Sequence, residues 1–354
     1  MKKIPTILVT GGAGYIGSHV VAQLGARGER IVVLDNLSTG NSRAVLHGRL
    51  VVGDIANERL LNMLFREYRI ETVLHFAGRI VVPESVAKPL EYYDCNTSGA
   101  RTLMAASAKA GVRQFIFSST AAVYGDPPGG VADEQTPPMP INPYGRSKLM
   151  TEWMLRDLAA ASTMRHVILR YFNVAGCDSH GRIGQDTPEA THLIKVACEH
   201  AVGKRKGLEV FGSDYPTADG TCVRDYIHVE DLATAHLHAV DYLRADNESL
   251  TANCGYGHGY SVLEVIDTLR NLVDFPLNVK LSPRRAGDMA TIIADNKLIR
   301  QRLGWMPKRD NLELIIASAL AWEDQRQIAT EKRTPGKQAI KAPELATDAF
   351  PGVH

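Results

Sequence analysis

The chain has 354 residues, 45% hydrophobic and 22% charged, with 40 Lys and Arg against 39 Asp and Glu. That length suits about two domains and a sizeable core, and a formal net charge of +1 gives no electrostatic footprint for nucleic acid or a membrane surface. Five cysteines (Cys95, Cys177, Cys198, Cys222, Cys254), with no CxxC pair and no histidine at zinc-ligand spacing, read as buried thiols and point to no metal. No apolar run approaches the ~20 residues that span a bilayer. The run from Ile4 to Val9 is soon cut by Gly11 and Gly12, so it reads as a first strand rather than a signal segment, and a cytoplasmic location is expected.

In chain order, short apolar runs at Thr6 to Thr10, Arg30 to Leu34, Leu50 to Val52, Thr72 to Phe76, Gln114 to Phe117 and Val167 to Tyr171 alternate with helical patterns. The clearest helices are Tyr15 to Arg27, Leu90 to Ala110 and Tyr144 to Ala161. Such alternation predicts an α/β chain with a doubly wound parallel-sheet Rossmann fold. We assign residues 1–176 to that domain, with a candidate return segment over 224–255 in which Asp225 to Leu243 is helical and Leu250 to Gly255 rejoins the sheet. Residues 177–328, loop-rich at first, form a smaller α/β substrate domain, and residues from Ala329 to 354 lose apolar periodicity and read as a tail. The Lys204-Arg205-Lys206 run is read as a solvated loop.

Gly11-Gly12-Ala13-Gly14-Tyr15-Ile16-Gly17 follows the first strand and opens a helix. Unsatisfied N–H groups and the helix dipole favour phosphate there, and glycine lets the backbone come close, so a dinucleotide is expected. Asp35 ends the second strand, 18 positions after Gly17, where a carboxylate accepts ribose hydroxyls and repels a 2′-phosphate. Asn36 and Leu37 bring no arginine to offset that repulsion, so NAD is favoured over NADP; the plain alternative is an Asp that turns the chain. Asp54-Ile55 and Phe76-Ala77-Gly78 end the third and fourth strands and belong to the same cofactor edge.

Ser118-Ser119-Thr120 ends the fifth strand, and Asn142 and Pro143 read as cap and first residue of the next helix, which sets Tyr144 and Lys148 one turn apart on one face. An ammonium ~6 Å from a phenol, at an effective dielectric near 20, favours the phenolate by about 2.8 kcal/mol. Tyr144 then serves as a base near neutral pH, with the Thr120 hydroxyl sharing the proton.

From Ile7 to about Trp322 the sequence resembles the extended short-chain dehydrogenase/reductases, and among them the UDP-glucose 4-epimerases. The stretches that carry this are Thr10 to Ser18, Leu34 to Leu37, His75 to Gly78, Glu84 to Val86, Pro89 to Asp94, Phe115 to Gly125, Pro143 to Glu152, Arg170 to Gly176, Asp214 to Val229 and Arg284 to Asp288. The resemblance implies NAD held through each cycle, with a hydride leaving C4 of a UDP-hexose and returning to the other face of a 4-keto sugar. It implies Asn96, Tyr171 and Phe172 as further cofactor contacts, and Asn173, His192, Leu193, Phe211, Arg224, Arg285, Asp288 and Ile292 at the UDP-sugar. The diphosphate goes to Arg224 and Arg285, whose alternative is pairing with Asp225 and Asp288. It also implies a homodimer joined by the helices near 90–110 and 144–161. Where related dehydratases carry an acid for elimination, this chain has Ala121-Ala122, which favours epimerisation. The chain departs from the family at Arg79, which replaces a lysine lying one residue further on; at Thr120, where Ser is common; and at His192, where Asn is frequent. Ile292 is intermediate between a large residue that excludes N-acetylated sugars and a small one that admits them. UDP-N-acetylhexosamines or UDP-pentoses are the alternative substrates, and a non-catalytic nucleotide-binding protein is the reading from another class.

Overall fold

The computed structural model describes residues 5–187, 190–285 and 288–331. Its first half alternates β1 (Pro5–Thr10), α1 (Tyr15–Ala26), β2 (Ile31–Asp35), β3 (Arg49–Val52), α2 (Glu58–Glu67) and β4 (Arg69–His75). A helical stretch follows as α3 (Val82–Ala87), α4 (Pro89–Tyr92), a π-helical segment (Tyr93–Gly99) and α5 (Ala100–Lys109). Then come β5 (Gln114–Ser118), β6 (Val131–Ala132), α6 (Pro143–Ala160), β7 (Arg165–Tyr171) and β8 (Asn173–Ala175). The second half holds α7 (Leu193–Ala201), β9 (Leu208–Phe211), β10 (Val223–Arg224), β11 (Tyr226–His228), α8 (Val229–Arg244) and β12 (Leu250–Cys254). It closes with β13 (Tyr260–Ser261), α9 (Val262–Leu272), β14 (Val279–Ser282), β15 (Thr291–Ala294), α10 (Lys297–Leu303) and α11 (Leu312–Glu331).

Seven parallel strands form the main sheet in the order β12-β7-β5-β4-β1-β2-β3. Side chains alternate across it. Ile7, Val9, Ile31 and Val33 enter a core shared with Val20 and Leu24 of α1 and Leu232 of α8. Leu8, Val32 and Leu34 enter the opposite core with Leu61, Leu64, Leu103 and Leu155 of α2, α5 and α6. Burial on both faces is why these strands read as continuous apolar runs. The strand order reverses at β1, which pairs with β2 on one side and β4 on the other, and a crevice opens at the carboxyl ends there.

The helix expected over Asp225 to Leu243 is corrected at its start. Tyr226–His228 is a strand paired with β8, and α8 begins at Val229. Asp225 holds the chain extended there, its buried carboxylate accepting from the backbone N–H groups of Tyr256 and Gly257 at 2.9 and 3.0 Å. The helix expected over Leu90 to Ala110 contains the π-helical segment, where the Asn96 carbonyl accepts from the Thr151 hydroxyl at 2.8 Å. Leu250 to Cys254 joins the sheet beside β7. A four-stranded sheet, β13-β10-β15-β6, stitches β6 of the first half to the second half. Helix α11 runs to Glu331, past Ala329 where the tail was expected to start, and residues 332–354 lie outside the described residues. Among the described residues no helix is long and apolar enough to cross a membrane, and no cluster of His, Cys, Asp and Glu is suited to a metal.

Candidate active site

The glycine turn is built by contact. Gly11 has φ +72°, and a Cβ there would lie 2.5 Å from the Ala77 nitrogen; at Gly17 it would lie 2.3 Å from the Gly11 carbonyl oxygen. Gly14, at the N-cap of α1, has no side chain to cap the helix. The first N–H groups of α1 are thus left without a capping side chain at a spot that any side chain would obstruct, which is the cradle a pyrophosphate needs. Asp35, buried at the end of β2, accepts from the Ala13 N–H at 2.9 Å with Oδ2 and from the Leu37 N–H at 2.8 Å with Oδ1. It therefore fastens the turn, and each oxygen keeps a lone pair for a ribose hydroxyl. Asn36 donates to Asp54 at 2.8 Å and closes the adenosine edge. These residues fit a dinucleotide without a 2′-phosphate.

A cavity of about 1110 Å³ runs from this turn across the strand ends into the second half. Gly11, Gly14, Tyr15, Ile16 and Gly17 line it with Asp35, Asn36, Asp54 and Ile55. Phe76, Ala77 and Gly78 form its floor, followed by Thr120, Tyr144, Tyr171 and Phe172. Asn173, His192, Arg224 and Ile292 line the far end. The volume exceeds the ~300–1,000 Å³ usual for one drug-sized ligand. Another cleft, lined by Arg113, Arg156, Arg165 and His166 at the amino ends of the strands, holds none of the residues singled out from sequence.

Helix α6 presents Tyr144 as expected: Asn142 caps it by accepting from the Gly145 N–H at 2.9 Å, and Pro143 fills the first position. Behind it lies a buried ionic network. Glu152 takes two bonds from Arg170, at 2.9 and 2.6 Å, and one from Ser119 at 2.6 Å, fixing the segment that carries Thr120. Lys148 corrects an expectation. Its ammonium turns to the Ser118 carbonyl at 3.0 Å, sits 5.0 Å from the centre of the Phe117 ring, and does not line the cavity. Burial lowers its pKa to about 8. Burial also raises the Tyr144 phenol above its ordinary value, opposed only by the Thr120 hydroxyl, so the depression expected from Lys148 is absent from the protein alone. Desolvation outweighs an ammonium already engaged elsewhere.

Other residues are also redistributed. Asn96 is buried behind the cavity wall, accepting from the Arg79 N–H at 2.8 Å and donating to the Arg79 carbonyl and the Ser147 hydroxyl, each at 3.0 Å. It positions the loop after β4, directly behind Gly78 of the cavity wall. Arg79 lines the cavity with its guanidinium tied to Glu84 and Glu91. Leu193 packs against the core at the start of α7. Arg285 stacks on Phe211 at 4.2 Å and pairs with Asp288 at 3.3 Å, so these three lie off the cavity wall. Arg224 differs: its guanidinium donates to the Val223 carbonyl at 2.9 Å and, among the described residues, has no carboxylate partner. Asp225 is occupied by backbone donors, and burial lifts its pKa to about 6.

Sequence reasoning missed Ser38, Thr39, Cys95 and Gln185, all on the cavity wall. Two hydroxyl residues shortly after Asp35 were a usable signal for the first pair. Cys95, read as a buried thiol, is only half-buried.

The model of the family described as "NAD dependent epimerase/dehydratase family" matches residues 7–255. The UDP-glucose 4-epimerase of Azospirillum brasilense is 52% identical over 340 residues, 96% of this chain and 98% of that protein. The crystal structure of a UDP-glucose 4-epimerase from Brucella ovis in complex with NAD superposes with a TM-score of 0.87 at 42% identity, covering 90% of this chain and 98% of the other. That from Bifidobacterium longum in complex with NAD⁺ and UDP gives 0.85 at 38% identity, covering 93% and 99%.

Proposed function

The chain belongs to the NAD dependent epimerase/dehydratase family, and from that premise we propose that it interconverts UDP-galactose and UDP-glucose through a 4-keto sugar, with NAD held on the glycine turn. The observation that carries this is the single cavity shared by Gly11 to Gly17, Tyr144, Thr120 and Arg224. When bound, NAD⁺ would be held by the Gly11–Gly17 turn and Asp35 and would supply the acceptor and donor for the C4 hydride. Tyr144 takes the proton of the 4-hydroxyl and Thr120 shares it, while Lys148 holds the Ser118 carbonyl that ends β5. The guanidinium of Arg224, which among the described residues has no carboxylate partner, suits the diphosphate. Ile292, 3% exposed, is the wall against which the sugar turns. Ala121 and Ala122 supply no acid, so the keto sugar is reduced again rather than dehydrated.

A cytoplasmic homodimer belongs to the same reading. The cysteines are free thiols, which suits a reducing compartment. Leu90 on α4 and Met150 and Trp153 on α6 are 74%, 37% and 52% exposed on two adjacent helices, an apolar face that a second copy covers.

Purified protein incubated with UDP-galactose and no added dinucleotide is expected to form UDP-glucose, and faster than it converts UDP-N-acetylglucosamine. Absence of any conversion overturns the proposal.

A further inference from the structure

Next to the cavity, residues 183–187 run as a strap between the two halves. Gly184 lies against Trp322 of α11, where a Cβ would come within 2.5 Å of the indole, and the Trp322 N–H donates to the Gln185 carbonyl at 3.2 Å. Asp186 accepts from Asn41 of the adenosine-side loop at 3.1 Å and pairs with Arg326 of α11. The backbone of Gln185 is thereby held on both sides. Its side chain, 7% exposed, places its amide nitrogen 3.0 Å from Nδ1 of His192.

With the Gln185 amide nitrogen on that side, an NH₂ that only donates, His192 Nδ1 takes the acceptor role. The ring proton then sits on Nε2, and a neutral imidazole keeps one N–H donor for the cavity that it lines with Arg224. Among the described residues, the charged groups nearby are committed elsewhere: Lys195, one turn along α7, pairs with Glu199 at 3.1 Å and with Glu323, and Asp186 is held as above. Arg224 lines the same cavity and, if anything, disfavours a second positive charge. Burial alone already lowers the His192 pKa.

We propose that Gln185 is a positioning residue that locks His192 as a neutral Nε2–H donor to the phosphate oxygens of the nucleotide sugar, so that substrate affinity does not vary with pH across the neutral range. This rests on the UDP-sugar reading above.

Gln185→Glu tests it with UDP-galactose as probe. A carboxylate beside Nδ1 takes the ring proton to that side and leaves a bare Nε2 lone pair facing the phosphates at high pH. As the pH falls the ring takes a second proton, and the Nε2 donor returns. KM is expected to rise about tenfold at pH 8.5 and to approach the unmodified value near pH 6, the size lost with one hydrogen bond to a charged group. The unmodified enzyme stays flat, and kcat changes less than about twofold, since the contact is the same in ground and transition states. In a His192→Asn background the same Gln185→Glu change is expected to leave KM independent of pH. ¹⁵N spectra of the unmodified enzyme are expected to show His192 protonated on Nε2 and bare on Nδ1. A flat KM in Gln185→Glu, an effect on kcat alone, or a proton on Nδ1 overturns the assignment while leaving epimerisation intact. An unmodified enzyme inert toward UDP-galactose overturns the UDP-sugar reading itself.

Discussion

Removing only the phenolic oxygen of Tyr144 separates proton transfer from cofactor binding, because nothing in the glycine turn depends on that oxygen. For Tyr144→Phe we expect NAD to co-purify as before and kcat to fall about 10²-fold or more, measured by conversion of UDP-galactose. A variant turning over near the unmodified rate removes Tyr144 from the chemistry. The direction in which burial pushes this phenol explains why the base needs help: in the protein alone it is held protonated, opposed only by the Thr120 hydroxyl. Tyr144 and Thr120 were legible in the sequence because a strand end, a cap and a one-turn spacing fix their placement locally. The Lys148 partner was not, since its ammonium had a closer acceptor in Ser118, 30 residues away. Gln185 was illegible for a similar reason: its orientation comes from Trp322, 137 residues further along the chain.

The adjoining helices α4 and α6 expose a leucine and a tryptophan, and the proposed second copy would cover them. Burying such side chains fully stabilises by about 1.5–3 kcal/mol each, which favours covering this face. Sizing in solution is expected to give twice the chain mass, and Trp153→Glu to shift it toward the single chain at micromolar concentration. A single-chain mass for the unmodified protein contradicts the dimer. Helices and sheet strands were readable because apolar runs of four to seven residues, or a cap followed by a periodic face, need no distant information. The short strands were not. Val223–Arg224 and Val131–Ala132 have two residues each, too few for any period, and β11 was hidden inside a helical pattern until Asp225 fixed it extended. Those short strands carry Arg224 beside Ile292, so the substrate half of the cavity was the less legible half.

In the whole molecule, reversal of strand order at β1 brings the ends of β1, β2, β4, β5 and β7 to one crevice, and the second half closes over it through β15 and β6. The residues of the cofactor half that lie at strand ends, such as Asp35 at the end of β2 and Phe76 to Gly78 after β4, could be foreseen; where the second half folds back depended on pairings between distant segments. One cavity joining both halves means that a hydride need not leave the protein between its removal and its return. UDP-galactose carrying deuterium at C4 measures this directly when converted in ordinary water without added dinucleotide. Deuterium retained at C4 of the UDP-glucose formed is the expected result, and its replacement by solvent hydrogen would contradict a hydride held and returned within one site.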